Sequence, residues 1–360
     1  MKRYIRAAIK DVLDENSNTL EDIVRDPSTR PEVLDKIAHR AIDDEVDLMI
    51  NYYVLLDIAK NPRTSAETLE YLMTIATRYA SGYAEDIKIA IARHPNLSKD
   101  LMHKFANDQS IRVVYAVLHN PNVDLGILEK LSYSRDYRIV KEIAELKTTP
   151  VSLLRKLATY PMGDVQLAVA KNPNTPKDLI EYFATSPDSH SSYARGYIAA
   201  DPNSSPELLA KVYETEPEYY IATRLVKNPN TPRDLKLRLI TEDISVARDM
   251  AWSNNLTPEI LQILLTSGDK IVIQILAQNL NTPQSILSGF AEDPDYEIRK
   301  CAASNPSLPK SSMRKLARDK AKTVRYALVK NKSVPVDILE VLTNDKNTQV
   351  RLTALDRLGR

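Results

Sequence analysis

The sequence is poor in the residues that build disulfide frameworks and membrane spans. Its 360 residues include one cysteine, Cys301, seven glycines, three phenylalanines and one tryptophan. A single cysteine excludes an intramolecular disulfide and a thiolate metal cage, and it suits a reducing, cytoplasmic compartment. No stretch approaches the roughly 18 consecutive apolar residues of a transmembrane helix. We therefore expect a cytoplasmic protein with no membrane partner.

An excess of either charge is also missing. The 49 Lys and Arg balance 48 Asp and Glu, and the formal net charge is +1. The two ends differ, because residues 1–50 carry 8 basic and 12 acidic side chains whereas residues 301–360 carry 13 basic and 5 acidic ones. The near-neutral total favours a protein partner, while the basic C-terminal segment keeps a phosphate-binding function open. Its densest run contains Lys310, Arg314, Lys315, Arg318, Lys320 and Lys322.

Many of the 21 prolines fall in a recurring phrase, Asn-Pro-x-Thr-Pro. Clear copies begin at Asn172 and Asn228, and edited copies begin at Asn254, Asn279, Asn305 and Asn331. We call the first residue of each phrase the anchor. The anchors fall at 26, 61, 94, 120, 146, 172, 201, 228, 254, 279, 305 and 331, with steps of mostly 25 to 29 residues after two longer ones. Self-similarity at this period is typical of a helical solenoid.

Each repeat is predicted to contain two helices. Apolar residues lie seven, four and three places before the anchor, as in Val324, Ala327 and Leu328, and this spacing marks a buried helix face. The first helix must end at the anchor, because the following proline disfavours helical backbone in the residue before it. The Thr-Pro pair is a good cap for the second helix. An Asp fourteen places after several anchors, such as Asp319, is expected to cap the next first helix.

These patterns predict an all-α solenoid of about 12 two-helix repeats of ~26 residues each, with a short second helix. Residues 1–84 are interpreted as an N-terminal cap with longer, irregular helical repeats. Residues 85–360 are interpreted as regular repeats that end in a half-repeat at Arg357. The Ser-rich segment 185–194 is predicted to be a protruding loop.

The repeat resembles that of leucine-rich repeat variant proteins. The resemblance is carried by Val324-Arg325-Tyr326-Ala327-Leu328-Val329-Lys330-Asn331 and by residues 165–179, and it covers roughly residues 85 to 360. It implies a right-handed superhelix of alternating α- and 3₁₀-helices, so the second helix of each repeat is expected to be short or 3₁₀. A member of that family holds an iron–sulfur cluster in a separate cysteine-rich segment. This chain has one cysteine, so we expect no such cluster.

Motifs for catalysis are missing from the sequence. It contains no Gly-rich phosphate loop, no Gly-x-Ser-x-Gly and no His-Glu-x-x-His. His94 and His119 lie one repeat apart and, with Asp100 or Asp124, form a conceivable metal site. The favoured interpretation is that His94 replaces an anchor Asn and that His119 is an exposed residue at a helix end. We expect a protein that is not an enzyme and has no metal or cofactor.

A row of basic residues lies six places before the anchors. It comprises Lys88, Arg195, Arg248, Arg299, Arg325 and Arg351. Guanidinium groups in a row suit phosphate or an acidic peptide. The favoured alternative is structural, because stacked Asp–Arg pairs would tie neighbouring repeats together.

A second set of polar residues lies nine, five and one places before the anchors, on a helix face that the apolar stripe leaves uncovered. This set contains eight Lys or Arg but three Asp or Glu, and tyrosine recurs in it. Tyrosine suits contact surfaces because it combines an apolar ring with a polar end. The candidate partner-binding residues are Arg93, Tyr115, His119, Tyr137, Lys141, Lys171, Tyr219, Lys227, Tyr296, Lys300, Lys322, Tyr326 and Lys330.

Two functions fit this pattern. The first is a non-enzymatic scaffold that binds a protein or peptide along an extended surface. The second is a nucleic-acid-binding protein, conceivably one that acts on DNA, which uses the Lys, Arg and Tyr stripe together with the basic C-terminal end. The identity of the partner and the oligomeric state are not encoded in a motif of the sequence.

Overall fold

The computed structural model describes residues 20–43, 48–76 and 81–360 of the chain. These residues form 25 α-helices and one short 3₁₀-helix, and no strand occurs among them. The chain divides into two units, Met1–Leu179 and Ile180–Arg360, called unit 1 and unit 2 below. None of the helices in the described part of the chain has the length and hydrophobicity that a membrane span requires.

The helices are numbered in chain order. Those that begin in unit 1 are α1 (Leu20–Arg25), α2 (Pro31–Asp43), α3 (Leu48–Lys60), α4 (Ala66–Ala76), α5 (Ser81–Ala92), α6 (Lys99–Phe105), α7 (Ile111–Leu118), α8 (Leu125–Leu131), α9 (Tyr137–Glu145), α10 (Val151–Leu157), α11 (Gly163–Lys171) and α12 (Lys177–Thr185). Those of unit 2 are α13 (Ser192–Ala200), α14 (Pro206–Thr215), α15 (Tyr219–Lys227), α16 (Arg233–Glu242), α17 (Ile244–Ala251), α18 (Pro258–Thr266), α19 (Lys270–Gln278), α20 (Gln284–Phe290), α21 (Tyr296–Ser304), α22 (Lys310–Leu316), α23 (Lys322–Lys330), α24 (Val336–Leu342) and α25 (Thr348–Arg357).

Odd-numbered helices are the first helices of the repeats and even-numbered helices are the second ones. We call them A helices and B helices. Within each unit an A helix packs beside the A helix of the next repeat and against neighbouring B helices. The predicted buried stripe is largely confirmed, since Val324 and Leu328 are fully buried whereas Ala327 is half-buried. The all-helical repeat architecture that the anchors predicted is therefore confirmed.

Helix length changes along the chain. Helices α2 to α5 contain 11 to 13 residues, whereas α6 to α25 contain 7 to 10. The longer helices lie within residues 1–84 or at their end. Residues 1–19 lie outside the described part, and the division into an N-terminal cap and regular repeats stays a prediction. From α6 onward the B helices are short α-helices of 7 to 10 residues, whereas α2 and α4 are longer. The 3₁₀ form that the family resemblance implied is absent from all of these described B helices. The one 3₁₀-helix of the described residues is Ser189–Ser191.

The anchor side chains join successive repeats through hydrogen bonds to the backbone. Asn305 Nδ2 donates to the carbonyl of the preceding anchor, Asn279, and to that of Ala277, both at 3.0 Å. Asn305 Oδ1 accepts from the backbone N–H of Ser307 at 2.9 Å. One amide thus satisfies carbonyls at the end of the previous A helix and orders its own loop.

The same arrangement recurs in both units, and we call it the anchor ladder. The paired donor distances lie between 2.7 and 3.0 Å at Asn61, Asn120, Asn172, Asn228, Asn279, Asn305 and Asn331. All seven anchors are at most 5% exposed. Arg357 fills the last anchor place, and its Nη1 donates to Val329 O and Asn331 O at 2.7 Å.

The predicted cap at Thr-Pro is wrong for most repeats. Thr231 is buried, and its hydroxyl donates to Leu225 O, in the last turn of the preceding A helix, at 2.6 Å. Thr282, and Thr64 in a copy where Ser65 replaces the proline, make the equivalent bond to the residue six places earlier. Thr257 alone among these Thr-Pro residues behaves as predicted, since its hydroxyl oxygen accepts from Ile260 N. The threonine hydroxyl is therefore mainly a second donor to a carbonyl in the last turn of the A helix, which also accepts from the N–H of the anchor.

Two further predictions need correction. The anchor place in α17 belongs to Ser253 and not to Asn254, because Asn279 Nδ2 donates to Ser253 O and Asn255 N donates to Ser253 Oγ. Asn254 is exposed. The segment 185–194 is not a protruding loop throughout, since it contains the 3₁₀-helix and fully buried Ser191. Its carbonyls at Ser186 and Asp188 accept from the guanidinium of Arg195, which is 3% exposed.

The anchor ladder predicts a specific cost for losing one amide. Asn305→Leu should lower the free energy of unfolding by about 1–3 kcal/mol, because Ala277 O and Asn279 O lose the amide donor and Asn279 O keeps the N–H of Thr282. Asn305→Asp should cost more, because a carboxylate would be buried facing those carbonyl oxygens. Urea unfolding of the full chain measures both changes. Asn255→Asp, the same change at an exposed position, is the control and should stay within about 0.5 kcal/mol; equal effects at both positions would contradict the ladder.

Candidate interaction surface

The predicted partner-binding residues all lie in or immediately after A helices. We call the uncovered face that they occupy the A surface. In unit 1, Tyr115 lies in α7, His119 caps its C-terminal end, Tyr137 and Lys141 lie in α9, Lys171 ends α11 and Arg93 follows α5. In unit 2, Tyr219 and Lys227 lie in α15, Tyr296 and Lys300 in α21, and Lys322, Tyr326 and Lys330 in α23. Their role in binding remains a prediction.

In unit 1 the A surface combines cations with acids of the next A helix. His119 Nε2 lies 3.2 Å from Glu142 Oε1, and its Nδ1 lies 3.0 Å from Tyr115 O. Lys141 pairs with Glu145 of the same helix at 3.4 Å. Partial burial, followed by the charge of Glu142, raises the pKa of Tyr115, so its hydroxyl stays neutral. His119 and Lys141 thus each have an acidic neighbour on this part of the surface.

Unit 2 shows the same matching across repeats. Lys227 Nζ lies 3.7 Å from Asp249 Oδ2, and Lys270 Nζ lies 2.6 Å from Asp295 Oδ2. Desolvation, together with Asp249, raises the pKa of Tyr219, which is 48% exposed. In both units the residue just before one anchor meets an acid four places before the next anchor, Glu142 in one case and Asp249 in the other. The sequence prediction missed these acids.

Tyrosines and lysines of the A surface also make contacts within their own helix. In α21, Lys300 Nζ lies 3.0 Å from Glu297 Oε2, and a hydrogen bond with Glu297 raises the pKa of Tyr296. In α23, Lys330 Nζ lies 4.6 Å from the centre of the Tyr326 ring, a cation–π distance. Gln349 Nε2 of α25 donates to the Tyr326 hydroxyl at 3.2 Å. These contacts hold the rings without burying them.

Trp252 is an A-surface residue that the sequence prediction missed. It directly precedes Ser253, the true anchor, and so occupies the place that His119 and Lys227 hold in their repeats. The indole is 56% exposed. The sequence prediction placed the anchor at Asn254, one residue too late, and therefore did not include Trp252. The hydrogen bond from Asn279 Nδ2 to Ser253 O identifies the correct anchor. Other exposed apolar residues on A helices of unit 2 are Tyr193, Tyr220, Ile244, Ile271 and Leu352.

The row of arginines six places before the anchors has a structural role, as expected. Arg299 makes a two-pronged contact with Asp319, with Nε–Oδ2 at 2.7 Å and Nη2–Oδ1 at 3.0 Å. Arg325 Nη1 then donates to Asp319 O at 2.7 Å, while its own Nε and Nη2 bind Asp345. The hydrogen bond from Arg325 lowers the pKa of Asp345. We call this series the Arg–Asp ladder.

The aspartates of this ladder correct another prediction. Asp319 Oδ1 accepts from Ala321 N, and Asp345 Oδ1 accepts from Asn347 N, both just before the A helix begins. Where a side chain caps the A helix, the cap comes two residues later, as at Asn347, which accepts from Val350 N. These aspartates order the turn and bind arginine instead of capping the helix.

His94 serves the anchor ladder. It is 3% exposed, its Nε2 lies 2.7 Å from Asn61 O, and its Nδ1 accepts from Asn96 N at 3.0 Å. Both ring nitrogens are thus occupied by backbone groups, which confirms that His94 replaces an anchor Asn. Within the described ranges, no group of three or more His, Cys, Asp or Glu is placed to hold a metal ion.

The basic run near the C-terminus is partly neutralised. Arg314 Nη2 lies 3.0 Å from Asp337 Oδ2, and Lys315 pairs with Glu292. Among the residues that the structure describes, Lys310, Arg318, Lys320 and Lys322 form no ion pair, and all four are exposed. This group, which we call the α22 basic cluster, lies on helix α22, on the following loop and at the start of α23.

Comparisons with known proteins return helical repeat structures. No protein-family model matches the chain, and no curated protein matches it. The chain is similar to an engineered protein at 15% identity, with 99% of this chain and 98% of that one covered and a TM-score of 0.23. It is also similar to a designed armadillo repeat protein in complex with the peptide (KR)4, at 15% identity, with 91% and 98% covered and a TM-score of 0.11. Neither superposition is close enough to inform function.

Helix α23 offers a paired prediction that separates surface from structure. Tyr326→Ala with Lys330→Ala should change the free energy of unfolding by no more than about 1 kcal/mol, because Lys330 is exposed and Tyr326 contacts it and the exposed Gln349 at the surface. Arg325→Ala should cost on the order of 3 kcal/mol, because it leaves Asp345, whose side chain is 5% exposed, without its partner. Thermal and urea unfolding measure both. A large loss in the double variant would assign the A surface of α23 to packing.

His94 should make unit 1 sensitive to mild acid. Burial lowers the pKa of His94, outweighing the opposing effect of its bond to Asn61 O. As pH falls below the unfolded value of about 6.5, the unfolded chain takes up the proton first. Stability should therefore be full above that pH and decrease below it. His94→Asn, which restores the usual anchor, should show a smaller loss of melting temperature between about pH 7.5 and 5.5. An unchanged pH dependence would contradict this role.

Proposed function

We propose that the chain is a non-enzymatic helical-repeat scaffold that binds a protein or peptide partner along its A surface. The observation that carries the proposal is that some basic side chains of the A surface meet acids of the neighbouring A helix, as in His119–Glu142 and Lys227–Asp249. A surface for a phosphate backbone would present unpaired cations. A balanced surface favours a partner that itself carries both charges.

The exposed rings of the A surface support the same proposal. Tyr219, Trp252 and Tyr296 are 48%, 56% and 47% exposed, and each lies on or directly after a different A helix of unit 2. Tyr and Trp are enriched among the residues that contribute most to protein interfaces, because they bury a large area with few rotatable bonds. The rings stand on helices that both ladders fix, so little ordering entropy is lost on binding.

The family and the compartment belong to the proposal as well. The repeat consensus around Asn172 and Asn331 supports membership of the leucine-rich repeat variant proteins, in which right-handed stacking of the repeats is expected. The single cysteine is compatible with a cytoplasmic location. The anchor and Arg–Asp ladders use His94 and most of the row of arginines in structural bonds, which supports a role other than catalysis.

A second candidate function is nucleic-acid binding, and one observation favours it. The four exposed cations of the α22 basic cluster form no ion pair among the described residues, and they lie in residues 301–360, which carry 13 basic and 5 acidic side chains. Such a patch would bind phosphate without reading the sequence of the nucleic acid.

A matched pair of variants tests the two functions. Tyr219→Ser, Trp252→Ser and Tyr296→Ser combined should remove the proteins that the wild-type chain retains from a lysate of its native host, because the anchoring rings are lost. Lys310→Gln, Arg318→Gln and Lys320→Gln combined should leave that capture unchanged. Both variants are first checked for wild-type melting temperatures.

Binding to random duplex and single-stranded DNA at about 50 and 200 mM salt completes the test. We expect no salt-dependent binding by the wild-type chain. Salt-dependent binding that the lysine and arginine substitutions abolish, with an identical set of captured proteins for wild type and the aromatic variant, would overturn the scaffold and favour the nucleic-acid function.

A further inference from the structure

Unit 1 contains a groove on the A surface between α3 and α5. Its volume is about 390 Å³, and its floor is formed by Leu56, Ala59, Ile89 and Ala90. The two helices contain 13 and 12 residues, and their anchors are 33 residues apart instead of about 26. Small alanine side chains on the facing sides leave the space open. Leu56 and Ile89 remain half-exposed, so the floor presents apolar surface to solvent.

The cations beside this groove lack the acid that other repeats supply. His119 meets Glu142, and Lys227 meets Asp249, each acid lying four places before the next anchor. In α5 that place is held by Ala90, which lines the groove together with Lys60. The pairing seen at His119 and Lys227 therefore has no counterpart at Lys60.

Arg93, which directly precedes anchor His94, also lacks an acid at the corresponding place of the following repeat. The place four before anchor Asn120 is Ala116, which offers no charge. Lys60 and Arg93 are exposed, both line the groove, and neither forms an ion pair among the described residues. Lys60 and Arg93 therefore line the groove together with its apolar floor, and neither is bound to an acid of the described residues.

The acids nearby are already engaged. Asp86 also lines the groove, but its Oδ2 accepts from the Tyr52 hydroxyl at 3.2 Å and its Oδ1 lies 3.4 Å from Arg112 Nη2. Glu85 binds Ser110 and Arg112. These carboxylates add negative charge close to the groove, which disfavours a polyanion such as nucleic acid. A ligand with one or two carboxylates and an apolar group fits both the cations and the floor.

We propose that this groove binds a peptide segment of the partner in which an apolar side chain lies close to an Asp or Glu. The apolar side chain covers Leu56 and Ile89, and the carboxylate binds Lys60 and Arg93 in the place that an acid of the chain fills in other repeats. Covering the floor gives the cations a less polar surrounding, which strengthens the ion pair. This inference rests on the proposed scaffold function and names the chemistry of one of its sites.

The probe is a phage-displayed library of random 12-residue peptides, selected on the full-length chain. Selected peptides are then measured by fluorescence polarisation against wild type and two variants. Lys60→Gln with Arg93→Gln removes the cations and keeps side chains of similar length. Ala90→Glu supplies the missing acid and occupies the groove. Melting temperatures establish whether each variant is folded. If one variant does not fold, the other still tests the groove, because the two change different residues.

The expected result is enrichment of peptides with Asp or Glu within a few residues of Leu, Ile or Phe. Their binding should weaken by about tenfold or more in each folded variant. Enriched peptides without an acid, or acidic peptides that bind wild type and variants equally, would overturn the groove assignment while leaving the scaffold function standing. If the library yields no peptide that binds the wild-type chain, the groove assignment and the scaffold proposal both fail.

Discussion

The structure depends on satisfying the carbonyl groups at the end of each A helix. A helix leaves its last carbonyls without internal partners, and in stacked repeats these groups are buried away from water. The anchor amide of the following repeat solves this with two N–H donors, and its oxygen accepts from its own loop. The Thr hydroxyl three places later satisfies a further carbonyl in many repeats. Apolar packing supplies most of the stability but is not directional, so the hydrogen bonds set the spacing of the repeats.

Several repeats carry a residue other than asparagine at the anchor place, and these residues keep different parts of the hydrogen bonding. Arg357 supplies two donors from one guanidinium nitrogen, and His94 supplies one. Ser253 keeps the bond to its own loop, where it accepts from Asn255 N. Leu146 has no polar side chain, yet its carbonyl still accepts from Asn172. An anchor place without an amide is tolerated because its backbone carbonyl still accepts from the anchor of the next repeat.

Much of the fold follows from the sequence because proline and asparagine act locally. A residue before proline leaves the helical region, so the ends of the A helices were predictable without knowledge of the packing. The pairing of Arg299 and Arg325 with aspartates was also expected, because both residue types recur at fixed places. The direction of the Thr231 hydroxyl was not, since the same group can accept from a helix start or donate to a helix end. Adjacent asparagines at 254 and 255 concealed the true anchor.

The candidate surface was predictable only in part. The residues one, five and nine places before the anchors do lie on A helices, but their neighbours belong to other repeats. Whether Lys227 meets an acid depends on how far α15 and α17 are displaced along each other, and sequence periodicity does not give that displacement. The groove beside Lys60 and Arg93 likewise arises from helix lengths in two repeats taken together. Pairings across repeats require coordinates.

The anchor ladder also bears on how such a chain changes in length. Each joint is made of main-chain carbonyls on one side and one amide on the other, so it does not depend on which side chains the preceding repeat carries. Duplication or loss of a whole repeat in the gene would bring together main-chain carbonyls and an anchor amide that are already able to form the joint. Insertions of a few residues would instead displace the amide from its acceptors. The array is therefore free to lengthen or shorten in complete steps, while the exposed faces diverge independently of the joints.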